Sequence, residues 1–300
     1  MNRFETNLVL DWTLMIPQSL QWMQSTEAGR SWLTALPTVV EDCARRWGLR
    51  LGEPYHDSYV SLVVPADRGD GAPLVLKIQF PDRESEHEAA ALALWNGDGA
   101  VRLLDHDPAR SALLLERCEP GTHLSEFGAD HALEALVGLL PRLWKPAGGP
   151  FRALADEAAT WREELPRRWE DAGRPFEGRL VDAAVEVLAE LTDSRGEEVL
   201  LHQDLHADNV LAAQREPWLV IDPKPLRGER EFGVAPIVRS YELGHDETKV
   251  IGRLDRLTRE LGLNRERARL WSFAQTLAWA FEGTQVLPRH VETARWLLGA

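Results

Sequence analysis

Cysteine is nearly missing from this chain of 300 residues, where Cys43 and Cys118 are the whole complement. Two thiols without metal-type spacing exclude a disulfide framework and point to a reducing, cytoplasmic setting. A basic excess is also missing. Lys and Arg number 34 against 48 Asp and Glu, a net charge of −14. Nucleic acid is therefore not expected as the main partner, since nothing is left over to neutralise phosphates. No apolar run approaches the roughly 18 residues of a membrane span, and Glu5 and Asp11 break the pattern of a secretory leader. Neither a membrane partner nor a transmembrane helix is expected, and the oligomeric state stays open. Tyrosine is scarce, at 3 against 12 Trp. Tryptophan contributes large buried area, so these residues read first as packing.

What remains is a globular composition, 44% apolar, in a chain long enough for two lobes. Residues 1–50 read as helical. Pro37 is placed to open a helix at its first position, Val39, Val40, Cys43 and Trp47 recur at helical spacing, and Gly48 is a stop. Strands follow. Tyr59–Val64 is β-rich, residues 67–71 form a turn, and Leu74–Phe80 alternates, with Leu74, Leu76, Ile78 and Phe80 on one face and Val75, Lys77 and Gln79 on the other. A helix is expected from about Asp82 to Trp95, with Glu84, Glu88, Ala91 and Trp95 on one stripe. Val101–Leu104 and Ala112–Leu115 bracket a second hairpin. Residues 116–121 are a polar linker, and the expected division is an N-lobe over 1–115, a hinge over 116–121 and a C-lobe over 122–300. Helical spacing returns over His131–Leu143, Leu154–Trp169, Leu180–Leu191, Arg265–Glu282 and His290–Leu298.

The helical half is interrupted by Leu201-His202-Gln203-Asp204-Leu205-His206-Ala207-Asp208-Asn209-Val210-Leu211, then by Trp218–Ile221 and Asp222. Asp-x₄-Asn sets Asp204 and Asn209 in one tight loop, and a short apolar run fixes Asp222 behind them. Phosphoryl transfer from a nucleoside triphosphate needs few parts: a Lys on the phosphates, oxygen ligands for Mg²⁺, and an Asp for the acceptor's proton. Asn209 and Asp222 suit Mg²⁺, which takes oxygen donors and keeps waters. Lys77, alone on its strand face, is the available amine.

The stretch His202–Leu211 resembles the catalytic loop of aminoglycoside phosphotransferases, which have a protein-kinase-like fold. Ile221-Asp222-Pro223-Lys224-Pro225-Leu226 with Gly228-Glu229, together with Glu88–Leu92, Val101–Leu104 and Leu113–Arg117, resembles their streptomycin 6-kinase and hydroxyurea phosphotransferase branch. The resemblance implies an α+β, two-lobed kinase-like fold, with a small antiparallel N-lobe and a mainly helical C-lobe. It implies ATP and Mg²⁺ as cofactors. Lys77 would contact the α- and β-phosphates and pair with Glu88, Glu84 being the rival one turn earlier. Asp204 would be the catalytic base, and Asn209 and Asp222 would hold the metal. Backbone groups of Glu116 and Cys118 would meet the adenine. Ser58, in a segment without the usual glycines, is offered to the phosphates, and His202 and His206 would brace the loop. The acceptor would be a small, cationic, hydroxylated molecule, streptomycin first. Two positions depart from the pattern: Gln203 where many relatives have Gly, and Gly233 where many have Asp.

Three other readings stay open. Hydroxyurea or another metabolite could be the acceptor, the chain could bind nucleotide without turnover, or His202, Asp204, His206 and Asp208 could form a metal-hydrolase cluster. On the late helix, Gln275, Trp279 and Glu282 read as packing, with an acceptor-facing role as the alternative. Glu229, Glu231, Glu242, Asp246 and Glu247 read as a solvated acidic region, or as a lining for guanidinium groups.

Overall fold

The computed structural model describes residues 16–69, 71–193 and 196–300. The part of the helical expectation that falls on residues 1–15, and Asp70 of the expected turn, lie outside them. The chain divides into two compact units, one running to Ser85 and including Arg102–Arg117, the other holding Glu86–Val101 and Cys118–Ala300.

The first unit opens its main helix, α1 (Glu27–Trp47), ten residues before Pro37. Thr26 supplies the N-cap, its hydroxyl accepting the Gly29 N–H at 3.0 Å. Pro37 therefore sits inside the helix, where it removes one N–H from the ladder. Burial of Leu33, Leu36, Val40, Cys43 and Trp47 carries the helix through it, and Gly48 ends it in the left-handed region at φ 64°. Against this helix lies an antiparallel sheet of β1 (Arg50–Leu51), β2 (Ser61–Asp67), β3 (Pro73–Gln79), β4 (Leu103–Asp107) and β5 (Ala112–Glu116), ordered β1-β2-β3-β5-β4. Period-two patterning decides its faces. Leu62, Val64, Ala66, Leu74, Leu76, Ile78, Ala112 and Leu114 form one core with α1. Lys77, between Val63 and Leu113 in register, is on the opposite face and is buried.

The second unit begins with α2 (Glu88–Trp95), later than the Asp82 start expected. Asp82 does cap, but its carboxylate takes the N–H groups of Glu84 and Ser85 at 2.7 and 2.8 Å in a turn ahead of the helix. Glu84 is consequently off the helical stripe. After it come α3 (Ala129–Leu143), β6 (Arg152–Ala153), α4 (Leu154–Asp171), α5 (Gly178–Asp193), β7 (Val199–Leu201), β8 (Val210–Ala212), β9 (Trp218–Val220), β10 (Leu226–Gly228), α6 (Ala235–Arg239), α7 (Glu247–Leu261), α8 (Arg265–Ala278), β11 (Phe281–Glu282), β12 (Gln285–Val286) and α9 (Pro288–Gly299). Strands β6, β10 and β7 form one small sheet, and β8 pairs with β9. Leu154, Ala158, Leu188, Leu226 and Ala274 pack around Trp161, Phe232 and Trp271, whose rings stand 6.0 and 5.4 Å apart in sequence. Helix α8 stops four residues short of its expected end, because residues 281–286 fold into the β11–β12 hairpin. No helix among the described residues is long and apolar enough to cross a membrane.

Candidate active site

Residues 202–209 bridge β7 and β8 as a loop ending in a short 3₁₀ turn, Ala207–Asn209. They are not a strand, so His202, Asp204, His206 and Asp208 do not share a face. The loop bends at Gln203, which has φ 63°. A left-handed conformation there is one that glycine adopts without steric cost and a longer residue does not. Here the longer side chain is buried, and neither of its amide atoms has a hydrogen-bond partner among the described residues, a strained arrangement of the kind found at functional sites.

His202 is the brace. Its Nε2 lies 2.8 Å from the Ile221 carbonyl, and its Nδ1 receives the Asp204 N–H at 3.3 Å. Its ring stacks on Trp95 at 6.3 Å. Burial pushes its pKa down to about 4. The neutral ring with hydrogen on Nε2 satisfies both contacts. Its carbonyl accepts the Lys224 N–H at 3.0 Å, tying the loop to the segment after Asp222.

Asp204 is held by two cations. Arg239 donates to Oδ1 at 3.0 Å and Lys224 to Oδ2 at 3.1 Å. Both lie over the ring of Trp279, at 4.4 and 5.2 Å from its centroid. Burial alone would raise the Asp204 pKa, but Lys224 and Arg239 outweigh it and hold the carboxyl far below the usual carboxylate range. Asp204 is an anion at any working pH.

Asn209 donates its Nδ2 to the Asp204 carbonyl at 2.9 Å, which turns Oδ1 the other way. Its own carbonyl accepts the Ile221 N–H at 2.9 Å, extending the β8–β9 ladder. Asp222 follows directly, in a left-handed conformation at φ 55°. An amide oxygen and a carboxylate fixed on neighbouring backbone are a donor set that fits Mg²⁺. His206 faces Glu242 at 3.4 Å. Burial works to raise the Glu242 pKa, but the hydrogen bonds from His206 and Ser240 bring it to about 2.

The remaining expected residues have definite places. Lys77, Ser58 and Glu116 belong to the first unit, and Glu88 and Cys118 to the second. Glu88 is buried in the first turn of α2. The Ser58 hydroxyl lies 2.9 Å from that of Ser61. The Glu116 N–H is used on the Arg102 carbonyl at 3.0 Å, and Cys118 is buried.

His206, Asp208 and Glu242 are the group among the described residues that could hold a metal by proximity, their atoms within 4.8 Å of one another. Glu242 is, however, already occupied by His206, the Ser240 hydroxyl and the Ala207 N–H. That makes the group a brace under the loop.

The acidic region is solvated at Glu247 and largely so at Asp246, and buried only at Glu229. Glu229 is buried against Arg267 and Trp271, Glu231 accepts from the Asn264 N–H, and Asp246 caps α7. Gln275 and Trp279 do reach the site. Gln275 Nε2 donates to the Gln203 carbonyl at 3.1 Å, and Trp279 underlies both cations, whereas Glu282 is exposed on the hairpin. At Gly233 a Cβ would come within 2.9 Å of the Trp144 indole nitrogen, so this chain has no room for a side chain there. Arg239 and the role of Lys224 had not been anticipated. A lone lysine between two prolines, two residues past Asp222, was the one available signal.

An antiparallel sheet in one unit and a helical second unit carrying this loop define a kinase-like phosphotransferase fold. Solved structures share it. Choline kinase LicA from Streptococcus pneumoniae superposes with a TM-score of 0.64 at 12% identity, over 88% of this chain and 99% of that one. Aminoglycoside phosphotransferase APH(4)-Ia, as a thermostable mutant in complex with AMP-PNP and hygromycin B, does so at 0.55 and 16%, over 89% and 96%.

The chain belongs to the aminoglycoside/hydroxyurea antibiotic resistance kinase family, whose model matches residues 46–284. It is 40% identical to a streptomycin 6-kinase of Streptomyces glaucescens, over 91% of this chain and 92% of that protein. It is 42% identical to a hydroxyurea phosphotransferase of Kitasatospora aureofaciens, over 91% and 82%. The chain is a small-molecule kinase.

Proposed function

We propose that the chain transfers the γ-phosphoryl group of ATP, as its Mg²⁺ complex, to a hydroxyl of a streptomycin-type aminoglycoside. The observation that carries this reading is the ionised Asp204, held between two cations beside Asn209 and Asp222. Asp204 orients the acceptor hydroxyl and takes its proton late in the transfer. Asn209 and Asp222 are the residues to hold Mg²⁺, which neutralises charge on the phosphates when bound. Family membership supports Lys77 as the phosphate-binding amine with Glu88 as its partner, Ser58 as a lesser phosphate contact, and Glu116 and Cys118 as the adenine-facing backbone. His202 and His206 hold the loop.

Streptomycin is favoured by two 6-kinase relatives, at 40% and 38% identity. O-phosphorylation would add negative charge to a cationic drug and weaken its hold on RNA. Hydroxyurea is the second reading, favoured by the relative at 42% identity.

A coupled nucleotide-consumption assay over streptomycin, other aminoglycosides, hydroxyurea and small alcohols tests this. ADP release that depends on streptomycin is expected. Release with hydroxyurea alone would move the acceptor to the second reading. Nucleotide binding without turnover on any acceptor would overturn the transferase reading, and bound zinc without nucleotide affinity would favour a hydrolase.

A further inference from the structure

Lys224 has no task in the chemistry assigned so far. The left-handed turn at Asp222 bends the chain behind β9, and the Lys224 N–H is fastened to the His202 carbonyl at 3.0 Å. From there its ammonium reaches Asp204 Oδ2 at 3.1 Å, while Arg239 takes Oδ1 at 3.0 Å. One adjacent cation is enough to keep a carboxyl ionised, so the second calls for another purpose.

The two cations differ. The Arg239 side chain is 10% exposed and that of Lys224 23%. Arg239 lies closer on the Trp279 ring, 4.4 against 5.2 Å. A guanidinium packed on an indole is a fixed planar fork, whereas an ammonium on a four-carbon stem is a point charge that can be re-aimed.

We propose that Lys224 is a catalytic residue whose ammonium meets the oxygens of the phosphoryl group in flight, while Arg239 stays on Asp204 as a positioning residue. This rests on the phosphotransfer reading with Asp204 as the base. In a reactive complex the acceptor oxygen is hydrogen-bonded to Asp204 and lies about 3–3.5 Å from phosphorus. An ammonium touching the same carboxylate is then a side-chain torsion away from the phosphoryl oxygens. The bond from the acceptor oxygen to phosphorus forms as the bond from phosphorus to the ADP oxygen breaks. The hydroxyl proton passes to Asp204. Lys224 keeps its own proton and supplies charge only. In-flight phosphoryl charge is where fixed cations act most strongly.

The test uses the whole chain with Lys224→Met, Lys224→Gln, Lys224→Arg and Arg239→Met, each checked for folding by thermal melting. Affinity is measured by calorimetry for AMP-PNP with Mg²⁺, and for ADP with Mg²⁺ and aluminium fluoride, a mimic of the phosphoryl group in flight. Lys224→Met is expected to weaken the mimic by about 100-fold and lower kcat to match, with AMP-PNP affinity changed little. Lys224→Arg should recover part of both, and Lys224→Gln serves if the Met variant does not fold. Arg239→Met should lower kcat without that selective loss. The assignment is overturned if Lys224→Met and Lys224→Gln hold the mimic as tightly as the unaltered chain, or weaken AMP-PNP and the mimic equally. If the unaltered chain binds neither, the phosphotransfer reading falls, and this assignment falls with it.

Discussion

Two carboxylates in the second unit have the same kinds of neighbour and opposite characters. Glu229 is gripped by the fork of Arg267, and it also receives the Trp271 indole N–H at 2.5 Å. Asp204 is also flanked by cations and a tryptophan. There, however, the cations lie on the ring face of Trp279, and the Asp204 side chain is 16% exposed against 7% for Glu229. Glu229 is tied down by directed N–H donors and joins α8 to the segment behind β10. Asp204 takes one cationic N–H donor on each oxygen, from Arg239 and Lys224, and keeps more of its side chain exposed. The partners of a buried acid tell less about its role than the direction from which they approach.

Asp204→Asn probes the contrast with the largest expected effect. It keeps the shape and removes the proton acceptor, so kcat should fall by about 10²–10⁴-fold, with AMP-PNP affinity retained in a calorimetric titration. Retained turnover would end the assignment of the base. Glu229→Gln comes next and should do the reverse. Breaking a buried ion pair costs about 3–5 kcal/mol, seen as a drop in Tm of roughly 10 °C, while kcat measured well below Tm stays near that of the parent. A large kinetic defect without destabilisation would erase the distinction.

The smallest effect sharpens the contrast from a third direction. Glu177 and Arg295 form a fork at 2.7 and 2.8 Å, but at the surface. The Arg295 hydrogen bonds hold the Glu177 pKa at about 2, below its ordinary 4.5. A depressed carboxylate stabilises the fold above its unfolded pKa, and that stabilisation is lost as pH falls through the folded value. Glu177→Gln should therefore lower stability by less than about 1 kcal/mol at pH 7. The gap from the parent should shrink between pH 4.5 and 2. A loss at pH 7 as large as that of Glu229→Gln would show that fork geometry, and not burial, sets the strength.

The sheet of the first unit was legible because β3 alternates in residue type, while β5 is a short apolar run buried on both faces. The loop from His202 to Asn209 was legible because its parts are adjacent in sequence. Tertiary neighbours were not. Arg239 is 35 residues from Asp204, and Gln275 is 72 from Gln203, distances over which no local pattern operates. The beginning of α1 was misplaced because Pro37 looks like a first-turn proline, and only packing reveals that the helix runs through it. Helix α7 was missed because its Val250, Leu254 and Leu257 stripe is sparse among charges, and its capping residue, Asp246, looked like one more surface acid.

Trp95 has a consequence for control. Its indole N–H is bonded to the Leu143 carbonyl at 2.8 Å, and its ring lies against His202, so α2 shares its anchorage with the catalytic loop. Swinging this helix outward, a common way to silence a signalling enzyme, would tear a fully enclosed indole from its seat. Any outward movement of α2 is thereby coupled to the loop that carries Asp204.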